Sequence, residues 1–418
     1  MLGKETRPHF FYGYVVTAAG FGVWFVGWGT FTPCFSVFYK TLLTEFGWTR
    51  AEAVLAYSLS CLVQAASTIA MGWLTDRFGP RIIVTVFGSF LGICYLLMSQ
   101  INELWQFQMN YALVAGIGVS ALNIPVMATA ARWFYKKRAL MIAIVQTGVG
   151  IGGLIFAPLA GWLILTYGWR SAYKVLGIIT VAGITTSGYF LRRDPRDKGQ
   201  LPDGEDVPAM CPAQPSSPGI QATGLSLREA MHTIPFWIIA GLYCCFGFCR
   251  STFTAHIPAH VRDLGFSLVD GANVLAVLIG SSIIGRIVMG RVADRIGNLP
   301  TFIISFSITT GVLVWALVAR DLWQLYVFAL VFGFGWGAQA VLRFAVTSEV
   351  FGLVSLGLLM GILNFAEAGA ATFGSYIAGH LFDQVGNYQP AFYMGIVISM
   401  AGIILTWWLK DTHRNEAN

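Results

Sequence analysis

Twelve apolar stretches, each long enough to cross a bilayer as one helix, run through this chain. They lie near 11–38, 51–73, 82–100, 104–131, 139–166 and 171–191, then near 234–259, 268–289, 299–319, 322–348, 355–381 and 389–409. The hydrocarbon core of a bilayer takes about 20 helical residues. No water satisfies the backbone there, so such runs fold as helices. Composition agrees: 56% of the 418 residues are hydrophobic and 11% charged, whereas a soluble domain carries roughly a quarter charged residues. The net charge of +6 is not gathered into a stripe. It sits in short segments between apolar runs, which excludes a nucleic-acid surface and points to membrane topology. The run from Phe11 to Phe38 is too long for a signal peptide and precedes no small-residue cleavage site, so it is expected to stay as a span. Of seven cysteines, Cys34, Cys61, Cys94, Cys244, Cys245 and Cys249 lie in apolar stretches. They read as small core residues, and Cys244, Cys245 and Cys249 lack a fourth metal ligand.

An internal repeat organises the chain. Gly72-Trp-Leu-Thr-Asp76-Arg77-Phe-Gly79 returns 218 residues later as Gly290-Arg-Val-Ala-Asp294-Arg295-Ile-Gly297. Gly161 and Gly168 return as Gly379 and Gly386, and Gln146 is matched by Asn364, at the same offset. Between the halves, Arg192 to Arg228 holds Pro195, Pro202, Pro208, Pro212, Pro215 and Pro218 with scattered charges. This composition predicts a mostly disordered linker ending in an amphipathic lead-in, Leu225 to Met231. The expected domains are a six-helix bundle over 1–191, a linker over 192–230 and a second bundle over 231–418. Lys4, Arg7, Arg77, Arg81, Arg132, Lys136, Lys137, Arg138, the linker cations, Arg291, Arg295, Lys410 and Arg414 collect on one side. The other side has Lys40, Arg50, Arg170, Lys174, Arg262 and Arg320. The bias puts both termini and the linker in the cytoplasm of a multi-pass plasma (inner) membrane protein. Two related halves about an axis along the membrane normal are an alternating-access architecture, with the substrate site near mid-membrane between them.

The doubled loop is a candidate gate built from Gly72, Asp76, Arg77, Gly79 and Arg81, with Gly290, Asp294 and Arg295 in the second copy. Gly72 permits close helix approach. Asp76 is suited to accept hydrogen bonds at a neighbouring helix N-terminus, and Arg77 to pair across the turn. Such a cluster closes one side and must break when that side opens.

With its doubled loop and twelve spans, the sequence resembles the major facilitator superfamily. Trp133-Phe134-Tyr135-Lys136-Lys137-Arg138-Ala139-Leu140, leading into a Gly-rich fifth segment, resembles the matching signature of monocarboxylate transporters. Phe46-Gly47-Trp48-Thr49-Arg50-Ala51, Gly168-Trp169-Arg170-Ser171-Ala172-Tyr173 and Ala378-Gly379-His380-Leu381-Phe382-Asp383 look like bacterial members of that group, related to oxalate/formate exchangers. The resemblance implies an all-α membrane protein of twelve transmembrane helices in two pseudo-symmetric six-helix bundles. It also implies that Arg286 in the eighth segment binds the substrate carboxylate. Two departures stand out: the animal relatives' acidic residue one turn before this arginine is Ser282 here, and their first-segment lysine falls on Thr32-Pro33-Cys34.

Charges inside apolar segments are expensive, so each is a functional candidate. Arg250, Arg286, Arg343 and Glu367 are such residues, all in the second half. Guanidinium stays charged and grips a carboxylate bidentately, and Ser282 shares a face with Arg286. Arg343 shares a face with Trp336, Gln339 and Thr347; it reads as a second anion-binding charge or as a structural partner of Glu349 or a carbonyl. Glu367 reads as a protonatable partner of an arginine or as a fixed ion pair. His256, His260 and Asp263 line one helix face, as a proton-responsive outer gate or an inert polar end. Asn123 (beside Pro125), Gln146 and Asn364 are polar cavity candidates, and Trp336 is the aromatic residue placed near the substrate. The glycines of the fifth segment (Gly148, Gly150, Gly152, Gly153) read as close helix packing, with no lysine for a phosphate loop.

The expectation is a secondary transporter of a small carboxylate such as lactate or pyruvate, coupled to a proton and working as a monomer. The alternative is an oxalate/formate-type exchanger. A receptor is disfavoured by the lack of a signalling domain. No enzyme chemistry, metal or cofactor is expected, since no nucleophile–base set or metal cluster appears.

Overall fold

The structure, a computed structural model, describes residues 10–204 and 225–416. The linker residues Pro208, Pro212, Pro215 and Pro218, the cations Lys4 and Arg7, and the side chains of Lys40, Arg50 and Arg414 lie outside what is described. Among the described residues every regular element is helical. The first half holds α1 (Gly13–Phe46), α2 (Arg50–Phe78), α3 (Pro80–Met98) and α4 (Leu104–Trp133). A helical run over Arg138–Phe190 is broken at Gly168, with φ 78° and ψ 159°, into α5 (138–167) and α6 (169–190). The second half holds α7 (Ile234–Asp263), α8 (Leu268–Ile296), α9 (Asn298–Val318), α10 (Leu322–Phe351), α11 (Leu356–Val385) and α12 (Gln389–Glu416). The 11 helical runs long and apolar enough to cross a membrane among the described residues therefore make twelve spans, because Gly168 divides one of them in two.

Several helices outrun the apolar windows. α1 continues to Phe46, α2 to Phe78 and α8 to Ile296. Hydropathy measures the hydrocarbon slab, whereas the helix runs on until a residue stops it. The stops are glycines with positive φ, which side chains disfavour: Gly47 at 68°, Gly79 at 82° and Gly297 at 97°. The starts repeat as well. Thr49 with Glu52 forms a capping box on α2, and Ser267 with Asp270 forms one on α8. Glu103 with Gln106 opens α4 as Asp321 with Gln324 opens α10. Each pair of boxes is 218 residues apart, so the repeat reaches the caps.

Within the first bundle α1 packs on α5, where an added Cβ at Gly152 would stand 2.0 Å from the Phe25 carbonyl oxygen. In the second, α8 packs on α10 through Gly285, Gly333 and Gly337, each of whose added Cβ would stand 2.1 Å from a facing atom. The bundles meet where α2 crosses α11 and α5 crosses α8.

The linker is not disordered at its described ends. Gln200 accepts from the Tyr12 N–H at 3.0 Å and donates to the Phe10 carbonyl at 2.9 Å. Asp203 accepts from the N–H groups of Tyr135 and Lys136 at 2.9 and 2.7 Å. The Leu225 N–H donates to the Phe351 carbonyl at 3.0 Å. Polar side chains capping exposed backbone hold these ends, which proline content alone does not reveal. The lead-in is a short helix, Leu227–Met231, capped by Ser226 and Glu229. The described ends of the linker and of the chain lie on one face, called here the terminal face.

Candidate functional site

On the terminal face two carboxylates each cap a helix of the opposite bundle. Asp76, near the end of α2, accepts from the Gly357 and Leu358 N–H groups of α11 at 3.2 and 3.0 Å. Asp294, near the end of α8, accepts from the Ala139 and Leu140 N–H groups of α5 at 3.0 and 3.1 Å. The first N–H groups of a helix have no intrahelical acceptor and carry the positive end of its dipole, so a carboxylate satisfies both needs. The caps and the capped residues are each related by the 218-residue offset. Gly72 makes the first contact possible, since an added Cβ would stand 2.2 Å from the Gly357 carbonyl oxygen. At Gly290 the corresponding distance, to the Ala139 carbonyl oxygen, is 3.0 Å. Gly79 and Gly297 turn the chain away beyond the caps.

The loop arginines do not pair as expected. Arg77 is exposed, with its guanidinium 5.4 Å from the Trp73 ring and 5.5 Å from Phe78, and Arg81 lies over Tyr189 at 4.1 Å. Arg295 is exposed and makes no ion pair among the described residues. The helix ends have already claimed the aspartates, and the cation that joins Asp76 is Arg132 of α4, at 3.1 Å. Arg132 also reaches Asp194 of the linker at 3.5 Å. Sequence reasoning missed Arg132 and Asp194 as members of this cluster, because nothing local marks their partners.

Deeper in, Arg286 joins the two bundles. One of its guanidinium nitrogens donates to the Gln146 carbonyl of α5 at 2.7 Å, while its Nε, buried, has no partner. Gln146 answers by donating its amide to the Ala340 carbonyl of α10 at 3.2 Å. Gln146 is thus a cross-bundle tie and not an open cavity wall. The Arg286 guanidinium lies 5.9 Å from the Trp336 ring, whose indole N–H is also buried and unpartnered. The Ser282 hydroxyl donates to its own helix at Ile279, 2.7 Å, and its backbone meets Gly337.

The second cluster is an acid held between two arginines. Glu367 of α11 pairs with Arg343 of α10 and, at 3.6 Å, with Arg250 of α7. Gly247, one turn before Arg250, makes room, since an added Cβ there would stand 2.8 Å from the Glu367 Cγ. Arg343 sits in an aromatic cage, 4.4 Å from Phe246, 4.6 Å from Phe344 and 5.3 Å from Tyr243. Its partner is Glu367 and not Glu349, which instead accepts from Asn298 at 2.6 Å. Gln339 and Thr347 leave the Arg343 face, bonding Thr309 and the Arg343 carbonyl. Arg250 is more open, with a side chain 35% accessible. Tyr57 and Cys61 of α2 lie within its electrostatic reach.

The remaining candidates scatter. Asn364 donates to Met360 of its own helix at 2.8 Å, and the buried Asn123 carbonyl oxygen has no partner. His256 is tied at both ring nitrogens, to the Tyr388 hydroxyl at 3.2 Å and to the Ser375 carbonyl at 3.0 Å. It does not meet Asp263, which is exposed. Cys244 and Cys249 point to carbonyls of different helices, Ala366 and Gly395.

Two repeat-related helical bundles, tied together on one face around a buried arginine cluster, define a membrane carrier and not a soluble binding protein. The chain belongs to the Major Facilitator Superfamily, whose family model matches residues 17–309 and 274–418. It is a membrane transporter of that type. It is 27% identical over 380 residues to Monocarboxylate transporter 13 of Bos taurus, covering 89% of this chain and 84% of the other. With Monocarboxylate transporter 11 of Homo sapiens it shares 26% identity over 402 residues, 94% of this chain and 81% of that one. The solved transporter FucP, described as in the outward conformation, superposes with a TM-score of 0.74 at 13% identity, covering 95% of this chain and 99% of that one.

Proposed function

We propose that the protein carries small organic carboxylates across the membrane by alternating access, with Arg286 as the group that neutralises the carboxylate. One observation carries this reading. Arg286 is a buried guanidinium at the bundle interface whose Nε has no partner and whose bonded nitrogen holds only a carbonyl of the opposite bundle. A carboxylate is a stronger acceptor than a peptide carbonyl and matches guanidinium geometry. Its arrival displaces Gln146 from Arg286 and so loosens the α5–α8 contact that keeps the terminal face shut. The Asp76 and Asp294 caps then release together, and the bundles rock. With the basic residues inside, the terminal face is cytoplasmic, and this conformation faces outward in a plasma membrane.

Lactate and pyruvate are the first acids to test, given the monocarboxylate relatives. Glu367 is the proton-coupling candidate, and protonating it means breaking contacts with two arginines. That clamp supports the second reading, exchange of one anion for another. The test is uptake of labelled acids into vesicles reconstituted with the purified protein. Carboxylate uptake that Arg286→Ala abolishes is the expected result. Unchanged uptake of every acid by Arg286→Ala would overturn the site.

A further inference from the structure

We propose that the preferred substrate is a dianion, an acid with two carboxylates, and that Arg250 reads its second acidic group. The proposal rests on the carboxylate-transport reading above and names the substrate class of that site.

The argument begins with charge. Among the described residues the charged groups of the mid-membrane cluster are Arg250, Arg286, Arg343 and Glu367, which sum to two positive charges. Glu367 is committed to Arg343, and its contact with Arg250 is the looser one at 3.6 Å. Two guanidiniums therefore keep unspent donors. Arg286 has its unpartnered Nε, and Arg250 has a side chain 35% accessible. Arg343 lies within electrostatic reach of both, so the three form one field. When the carrier closes over its cargo the site loses water, and an uncompensated charge there costs several kcal/mol. A monoanion leaves one positive charge unmatched; a dianion leaves none.

Position supports the same conclusion. Arg250 lies 218 residues after Thr32, so it occupies in α7 the place that Thr32 occupies in α1. The two mates converge on one residue of α2: Thr32 is 3.5 Å from the Tyr57 hydroxyl, and Arg250 lies in the neighbourhood of the same side chain. Counted along their helices, Arg250 is about 24 Å and Arg286 about 15 Å from the ends at the terminal face. The two side chains are thus rooted at different depths along the direction of transport, Arg250 the farther from the terminal face. A two-headed acid lying along that direction meets both.

The test uses reconstituted vesicles of the full chain and two pairs of labelled acids of similar size, malonate with propionate and succinate with butyrate. The wild type is expected to prefer the dianion of each pair by about tenfold or more in kcat/KM, the effect of one well-made charge pair. Arg250→Gln is expected to erase that preference, and Arg250→Lys to restore part of it. Arg286→Gln is expected to lower uptake of both members of each pair. Equal or better carriage of the monoanions by the wild type would overturn the proposal while leaving carboxylate transport standing. A preference that survives in Arg250→Gln would overturn the role of Arg250. Failure to carry any of the four acids would overturn the parent reading with it. Should Arg250→Gln not fold, the wild-type preference and a comparison of thermal stabilisation by malonate against propionate still decide the dianion claim.

Discussion

Glu367 illustrates how one side chain fixes a region of this protein. It is the single acid among three mid-membrane arginines, and it holds Arg343 while reaching Arg250. Removing one member of a buried ion pair costs about 3–5 kcal/mol, because the remaining charge is left uncompensated, whereas replacing both members by apolar groups is often neutral. Glu367→Gln is therefore expected to lower the thermal midpoint of the purified protein in detergent. Adding Arg343→Met should recover part of the loss without recovering transport. A Glu367→Gln protein as stable as the wild type would show that the pair holds nothing. The four charges were legible from sequence, since each interrupts an apolar run. Their partners were not. The Phe246 and Phe344 cage, the clearance at Gly247 and the nearness of Tyr57 are tertiary facts with no local signal. How the Ser282 hydroxyl is bonded was not legible for a similar reason. Its position on the Arg286 face was readable, but the hydroxyl spends its proton on its own helix.

At the scale of elements, the caps on α5 and α11 tie the two bundles together on the terminal face, and on the proposed reading they hold it shut. A charge-assisted hydrogen bond contributes roughly 1.5–3 kcal/mol, and each aspartate makes two. Asp294→Asn keeps the shape but drops the charge and one acceptor oxygen. It should tilt the carrier toward opening on this face. Ala143 reports this, because it is fully buried and lies beneath Gly290. A cysteine placed there is expected to react with a membrane-impermeant maleimide from the terminal face faster in Asp294→Asn than in its absence. Asp76→Asn should act in the same direction and more strongly, since it also removes the closer of the two carboxylates that pair with Arg132. Equal reactivity with and without the substitutions would remove the aspartates from the gate. The repeat made both loops visible in the sequence, and helix electrostatics made an N-terminal partner readable for Asp76. It could not say that the loop arginines are bystanders, because that depends on how far apart the helix ends stand after folding.

The charge asymmetry between the bundles bears on how the whole molecule cycles. The second bundle carries the cluster of two net positive charges, while the first offers Gln146, Tyr57, Thr32 and apolar surface. Rocking moves this cluster through an occluded state in which water is excluded on both sides. Loaded with anion, the cluster is compensated; empty, it is not, and desolvating uncompensated charge costs several kcal/mol. On the proposed reading that penalty falls on the return step of the empty carrier, and a partner anion lowers it. Uptake of labelled malonate into vesicles preloaded with unlabelled malonate is therefore expected to exceed uptake into empty vesicles by at least about tenfold, one decade for each 1.4 kcal/mol of barrier. A proton gradient imposed on empty vesicles should not replace the internal anion. If it does, anion and proton are entering together, and the cycle is symport. Cys61 supplies a reading of the same cycle without flux. It is the free cysteine that is exposed among those described, it lies within electrostatic reach of Arg250, and the terminal face beyond it is closed. An impermeant maleimide should label it from the face opposite the termini. Carried anion should slow that labelling, and Arg286→Gln should abolish the protection while leaving Cys61 reactive.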